Sequence, residues 1–87
     1  MAQTPNAQQA EVYRLFNQGQ QQLAQKQFQA ALQSYLQALN LSRRIKEFYP
    51  EGSLLGQIGI TYLYLRDYTK AIEYTRQSLI IFEKTNG

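Results

Sequence analysis

The chain has 87 residues, of which 44% are hydrophobic and 17% charged, and this length allows one domain near the lower limit for a self-sufficient core. It contains no histidine and no cysteine, which excludes disulfides, thiolate metal sites and the usual catalytic triads. Nine Lys and Arg residues against six Asp and Glu residues give a net charge of +3, an excess too small to indicate nucleic-acid binding. No apolar run reaches the roughly 18 residues of a transmembrane helix, so no membrane span is predicted.

The first eight residues, 1–8, are polar and are predicted to form a disordered tail. No apolar signal-peptide core follows Met1, which slightly favours a cytoplasmic location. Residues 2–7 nevertheless have the small and polar composition of a mature exported protein that has received a new initiator methionine. The compartment is therefore left open, with an exported or periplasmic location as the alternative.

Four segments after the tail carry apolar residues at helical rather than alternating spacing. The predicted helices run over 9–25, 28–48, 52–65 and 68–84. Pro50 lies at the joint between the second and third segments, where it can end one helix and begin the next. Asp67 is a candidate N-cap for the fourth helix, and Asn86-Gly87 is a helix-stop pair. The joints at 26–27 and 66–67 are so short that they predict two antiparallel helical hairpins.

The two hairpins are copies of one another, because a shift of 40 residues brings the sequence onto itself. The matched pairs include Gly19 and Gly59, Leu15 and Leu55, Phe28 and Tyr68, Ala31 and Ala71, and Leu39 and Leu79. A glycine inside a helix costs about 1 kcal/mol relative to alanine, so two equivalent glycines indicate helix crossings without room for a Cβ. Phe28 and Tyr68 begin the second helix of each hairpin and are predicted to fill the space between its arms.

This pattern resembles the tetratricopeptide repeat family, which places a large residue, Leu-Gly and Tyr in the first helix and Tyr, Ala, an aromatic residue and Ala in the second. The second hairpin carries the matching residues Leu55, Ile58, Gly59, Tyr62, Tyr68, Ala71 and Leu79, and the first carries Leu15, Gly19, Phe28, Ala31, Tyr35, Ala38 and Leu39. Departures occur at Gln18 and Gln22 in the first hairpin and at Thr75 and Ser78 in the second. The polar first helix is also typical of a capping repeat.

The resemblance implies an all-α fold in which two helix-turn-helix hairpins, 9–48 and 49–87, are arranged in a right-handed α-solenoid. The period of 40 residues exceeds the common 34 and is similar to the long-period subclass found in kinesin light chains and in large bacterial proteins. The implied function is non-catalytic binding of a peptide or protein segment in the concave groove that the first helices line.

The resemblance also implies which residues line that groove. They are Tyr13, Phe16, Asn17, Gln20 and Leu23 in the first hairpin and Gln57, Ile60, Leu63 and Tyr64 in the second. Those of the first helix share one helical face, because most of them are separated by three or four residues. Leu15, Gly19 and Gln22 form a separate stripe that is expected to face the second helix. None of the groove positions is basic, so the acidic tails that chaperone-binding members of the family hold are not expected as ligands.

Two alternatives to a ligand groove stay open. The same residues can pack against a neighbouring repeat or a second chain, since exposed apolar patches indicate contact of some kind. The last helix is predicted to present Ile80, Ile81 and Phe82 as an exposed terminal face, because its run of apolar residues cannot all point inward on one hairpin. The chain is then a structural repeat that forms a homo-oligomer through its uncapped C-terminal helix, or the N-terminal piece of a larger protein with a downstream effector domain.

No catalytic, cofactor-binding or metal-binding residues are predicted. The carboxylates are scattered over helix ends and exposed faces without a pair suited to acid–base work, and the sequence has no glycine-rich phosphate loop. Arg43, Arg44 and Lys46 form the only basic cluster, and cations there suit the C-terminal end of a helix dipole. The tyrosines lie mostly at family packing positions, which favours core or groove packing over stacking on nucleic-acid bases.

Overall fold

The computed structural model describes residues 4–45 and 50–86, and this part of the chain consists of four α-helices. The helices are α1 (Thr4–Ala24), α2 (Phe28–Arg43), α3 (Glu51–Tyr64) and α4 (Tyr68–Asn86). Each helix packs against the next, so α1 with α2 and α3 with α4 form two hairpins that stack through α2 and α3. The predicted all-α fold of two hairpins is therefore confirmed. None of the described helices is long and apolar enough to cross a membrane.

α1 begins earlier than the sequence predicts. Its first residue is Thr4, so residues 4–8 are helical although they were expected to belong to a tail. Pro5 is compatible with this because proline is tolerated in the first turn of a helix, where the missing amide has no partner to bond. Residues 1–3 lie outside the described residues.

α2 ends earlier than predicted, at Arg43 rather than near 48. The backbone amides of Arg44 and Ile45 donate to carbonyls three residues back, at 3.1 Å each, and this tightens the end of the helix. The Ile45 side chain is buried in the core, so the chain leaves the helix where an apolar residue packs inward.

Both hairpins turn through the same backbone motif, built around a residue other than glycine. Lys26 and Arg66 have φ angles of 63° and 67°, in the left-handed region. The amide of Lys26 donates to the Leu23 carbonyl at 2.9 Å, and the amide of Gln27 donates to the Gln22 carbonyl at 2.8 Å. The second turn has the same pair of bonds at the equivalent residues. This arrangement is a Schellman motif, and it satisfies carbonyls at the end of the first helix of each hairpin.

The second helices of the two hairpins begin with different caps. The amide of Lys70 donates to Asp67 Oδ1 at 3.2 Å, which confirms Asp67 as the N-cap of α4. The equivalent residue before α2 is Gln27, and its side chain makes no cap hydrogen bond. Pro50 precedes the first residue of α3, in agreement with its predicted place between the second and third helices.

The core runs through α1, α2 and α3. The largest fully buried side chains are Tyr35, Leu54, Leu55, Ile58, Val12 and Thr61. The body measures 45 × 33 × 15 Å along its principal axes. The shortest dimension is about one and a half helix diameters, so every helix has one face on the outside of the molecule.

The matched glycines lie where the helices of each hairpin cross. A Cβ added to Gly19 would lie 2.6–2.9 Å from ring atoms of Tyr35, and one added to Gly59 would lie 2.5 Å from Thr75 Oγ1. The predicted crossings are therefore confirmed. The aromatic pair behaves differently: Phe28 is half-buried, but Tyr68 is 56% exposed, so the expectation that Tyr68 fills a gap is wrong. Phe28 is covered by α3, whereas no described helix packs beyond α4.

Candidate functional site

α3 has one buried apolar face and one exposed apolar face. Leu54, Leu55 and Ile58 are 0–1% exposed. The predicted groove residues of the same helix lie on the outside, and their exposed fractions are 42% for Ile60, 53% for Leu63 and 56% for Tyr64. A helix that is apolar on both faces needs contacts on both, so the outer face of α3 is a candidate binding surface.

α1 presents the remaining predicted groove residues with more varied exposure. Tyr13 is 52% exposed, and Asn17 and Gln20 are exposed. Phe16 and Leu23 are half-buried and pack against the core. The α1 part of the surface therefore consists of one large aromatic anchor, two amides and two apolar side chains that also hold the helix in place.

A chain of side-chain contacts joins α1 to α3 beneath this surface. The rings of Phe16 and Tyr35 meet edge to face, with centroids 5.8 Å apart and an interplanar angle of 69°. The Tyr35 hydroxyl lies 3.5 Å from Gln57 Oε1, a weak hydrogen bond. Burial raises the pKa of Tyr35, which keeps this hydroxyl protonated as a donor. The structure thus brings Phe16 and Gln57, two predicted groove residues on different hairpins, to the same buried tyrosine.

Tyr64 is held by a second aromatic contact. Its ring stacks on Phe28 of the first hairpin, with centroids 5.0 Å apart and planes 7° from parallel. Tyr64 is nevertheless more than half exposed, so the ring is fixed on one side and open on the other. A preorganised, amphipathic ring of this kind is the usual anchor of a protein-binding surface.

Ile60 and Leu63 border a cleft that the sequence did not predict. The cleft lies between α3 and α4, has a volume of about 400 Å³, and is lined by Gly59, Ile60, Leu63, Ala71, Ile72, Thr75, Arg76 and Leu79. The predicted groove set is therefore divided. Phe16, Gln57 and Tyr64 contact side chains of α2, whereas Ile60 and Leu63 line the α3–α4 cleft.

The departures from the repeat pattern explain where this cleft comes from. In the first hairpin, Tyr35 covers Gly19; at the equivalent place in the second hairpin, Thr75 covers Gly59 with a much smaller side chain. Among the described residues no ring fills the remaining volume, and the cleft is the result. The signal was present in the sequence, since Thr75 stands where an aromatic residue is usual.

The polar groups of other residues that depart from the repeat pattern have local hydrogen-bond partners. Gln22 and Ser34 are in contact at 2.6 Å, and with its amide nitrogen on that side Gln22 also donates to the Ala30 carbonyl at 3.1 Å. The equivalent pair in the second hairpin is Tyr62 and Tyr74, whose rings stack at 5.5 Å. The expected packing of the Gln22 stripe against α2 is therefore confirmed, with amide bonds in place of rings.

Ser78 replaces the usual alanine of the second hairpin and is also satisfied. Its hydroxyl donates to the Gly52 carbonyl at 2.7 Å, in a buried contact between α4 and α3. The side chain is 6% exposed. A polar residue is tolerated at this packing position because its one donor has a partner.

The predicted terminal face needs one correction. Ile80 is 46% exposed and Phe82 is 43% exposed, as expected, but Ile81 is half-buried and packs against the core. Leu79, which belongs to the same apolar run, is 57% exposed, and the prediction missed Ile72, which is 58% exposed. Ile81 lies against Gly52 of α3, and the Phe82 ring lies against the same glycine while staying 43% exposed. Ile80 is rotated away from α3.

The charged side chains of the described residues do not cluster into a charged binding site. Arg43 pairs with Glu51 at 2.9 Å across the joint between α2 and α3, and Lys46 of the predicted basic cluster lies outside the described residues. The described part of the chain contains no cluster of three acidic side chains that could hold a metal ion. The chemical character of the surface is therefore apolar and amide-rich.

Comparisons with known proteins identify the repeat. The family model described as tetratricopeptide repeat matches residues 8–84, nearly the whole chain. A search of curated proteins and a search of solved structures gave no significant match. Proteins of this family generally mediate contacts between proteins and are generally non-catalytic, while the long-period subclass stays a prediction. Two hairpins with matched glycine crossings, repeated turns and a family match over this span show that the chain belongs to the tetratricopeptide repeat family.

Proposed function

We propose that the chain is a non-catalytic interaction module that holds a peptide or protein segment against the first-helix surface. This surface consists of Tyr13, Phe16, Asn17, Gln20 and Leu23 on α1 and Gln57, Ile60, Leu63 and Tyr64 on α3. The observation that carries the proposal is that α3 exposes three large apolar side chains opposite a fully buried face. Water-exposed apolar area of this kind favours association with another chain.

The chemistry of the surface indicates the class of ligand. Apolar anchors are accompanied by the amides of Asn17, Gln20 and Gln57, and no charged residue belongs to the set. Amides can both donate to and accept from a peptide backbone, whereas the apolar anchors favour aliphatic or aromatic ligand side chains. The expected ligand is therefore an uncharged, apolar segment in extended or helical conformation.

A peptide selection tests this function. A displayed library of random peptides is selected on the immobilised chain, and the affinity of a selected peptide is measured by fluorescence anisotropy. We expect enrichment of apolar peptides, and we expect Tyr13→Ala and Tyr64→Ala each to weaken binding by about tenfold or more, since buried aromatic anchors dominate such interfaces. Both residues lie away from the α3–α4 cleft, so the test addresses the first-helix surface alone.

Gln33→Ala is the matched control, because Gln33 is exposed on α2 outside this surface. The control should bind the selected peptide like the parent chain. Failure to enrich any peptide, or equal loss of affinity in all three variants, would contradict the proposed function. Circular dichroism of each variant confirms that the helices are retained.

A further inference from the structure

The two hairpins differ most in what covers the outer stripe of their second helix. In α2 this stripe consists of Leu32, Tyr35, Leu39 and Ser42, which are 0–8% exposed because α3 packs over them. The equivalent residues of α4 are Ile72, Thr75, Leu79 and Phe82, here called the open stripe. Ile72 is 58% exposed, Leu79 57% and Phe82 43%, and Thr75 is also exposed. α3 therefore covers this face in the first hairpin, whereas in the second hairpin no described helix covers Ile72 and Leu79, and the Phe82 ring lies against Gly52 of α3.

The outer face of α1, at the opposite end of the molecule, is not a suitable binding surface for the open stripe. The α3 residues that lie 0% exposed in the stack include Leu54, Ile58 and Thr61. Their equivalents on α1 are polar: Arg14, Gln18 and Gln21. Arg14 pairs with Glu11 at 2.7 Å and donates to Gln18 at 3.1 Å, so this end is a solvated, hydrogen-bonded cap. Head-to-tail stacking of copies would bury these groups against apolar side chains at a cost.

The open stripe is complementary to itself in one arrangement. Arg76 lies three residues before Leu79, and Glu83 lies four residues after it. In an antiparallel pair of α4 helices centred on Leu79, one register therefore sets Glu83 beside the partner copy's Arg76. This contact occurs twice by symmetry.

We infer that the open stripe binds the open stripe of a second copy of this chain, and forms an antiparallel twofold dimer centred on Leu79. Two observations favour this occupant. Ile72 and Leu79 are more than half exposed on one stripe of α4, so a second copy of the stripe can cover them with apolar side chains. The charges flanking the stripe, Arg76 and Glu83, are exposed and opposite in sign. The polar cap on α1 then limits the assembly to two copies.

Charge reversal tests the register. Mass is measured by light scattering over a concentration series up to about 1 mM, a range that detects weak association. We expect a monomer–dimer equilibrium in the parent chain. Arg76→Glu and Glu83→Arg should each raise the dissociation constant about tenfold, because two symmetry-related pairs change from attraction to repulsion. The double variant should restore the parent value, and Lys70→Glu, on an exposed part of α4 outside the stripe, should leave it unchanged.

Disulfide trapping tests the centre of the dimer. The chain has no cysteine, so a single introduced thiol reports one contact. Leu79→Cys should form a covalent dimer under mild oxidation, whereas Gln33→Cys, on an exposed part of α2, should stay monomeric. A chain that is monomeric over the whole concentration range, or that binds only a helix of another protein through this stripe, overturns the inference. So do assemblies larger than two, or a dimer that the charge reversals do not weaken.

Discussion

At the scale of single residues, the helix crossings depend on the absence of two side chains. At Gly59, an added Cβ would lie 2.5 Å from Thr75 Oγ1 and 3.2 Å from the carbonyl oxygen of Ala71. Backbone atoms of α4 cannot move aside without moving the helix. Gly56 lies on the same helix, and its nearest obstacle is Ser78 Oγ at 3.3 Å.

We expect Gly59→Ala to lower the free energy of unfolding by about 1–3 kcal/mol, the scale of overpacking, despite the better helix propensity of alanine. Gly56→Ala is the matched control, because the same gain of about 1 kcal/mol in propensity meets a much weaker obstacle. Its stability should stay within about 0.5 kcal/mol of the parent or rise. Urea denaturation followed by circular dichroism measures both. Equal stabilities for the two variants would mean that the helices do not cross closely at Gly59.

These glycines could be predicted from the sequence, because a costly residue at two equivalent helical positions needs a packing reason. The α3–α4 cleft could not be predicted in the same way. The absence of a ring at Thr75 was visible, but whether another side chain fills the volume depends on rotamers and helix rotation. The burial of Ile81 was missed for a related reason, since a run of apolar residues does not by itself fix the rotation of a helix.

At the scale of the helices, both turns place a residue other than glycine in a left-handed conformation, which costs roughly 1–2 kcal/mol. Arg66→Gly and Lys26→Gly should therefore each raise the free energy of unfolding, by about 0.5–1 kcal/mol after the larger entropy of glycine in the unfolded chain is included. The control is Gln33→Gly, in the exposed middle of α2, which should lower it by about 1 kcal/mol. Thermal melts distinguish the expected stabilisation of the two turn variants from the expected destabilisation of the control. Destabilisation by all three variants would argue against the left-handed turns.

The N-cap of α4 can be transferred to α2 to test whether the two turns share one geometry. Asp67 caps α4, whereas Gln27 leaves α2 without a side-chain cap. Gln27→Asp should give α2 the same hydrogen bond and raise the free energy of unfolding by about 1 kcal/mol, and Asp67→Ala should lower it by a similar amount. Chemical denaturation measures both. If Gln27→Asp has no effect while Asp67→Ala destabilises, the two turns do not share one geometry.

The existence and order of the four helices followed from apolar spacing and the short joints. Their ends followed less well, because ends depend on contacts that spacing does not encode. α2 ends at Arg43 where Ile45 packs into the core, and α1 extends back to Thr4 through a proline that the first turn accepts. The cap at Asp67 was predictable because its hydrogen bond is local.

At the scale of the whole molecule, a body 15 Å thick leaves two apolar surfaces uncovered. The first-helix surface lies on α1 and α3, and the open stripe lies on α4. The family resemblance indicated the first surface, although it did not reveal that Ile60 and Leu63 also border the cleft. The comparison of one hairpin with the other indicated the second surface. Separate variants, at Tyr13 and Tyr64 for one and at Arg76 and Glu83 for the other, distinguish the two binding modes.

The most direct measurement of the proposed function is amide chemical-shift mapping of the labelled chain with a peptide selected for binding. We predict that the largest changes occur on the first-helix surface, at Tyr13, Asn17 and Gln20 of α1 and at Gln57 and Tyr64 of α3. The exposed face of α2 around Gln33 should stay unchanged. Changes confined to α4, or spread evenly over all four helices, would contradict a ligand site on the first helices.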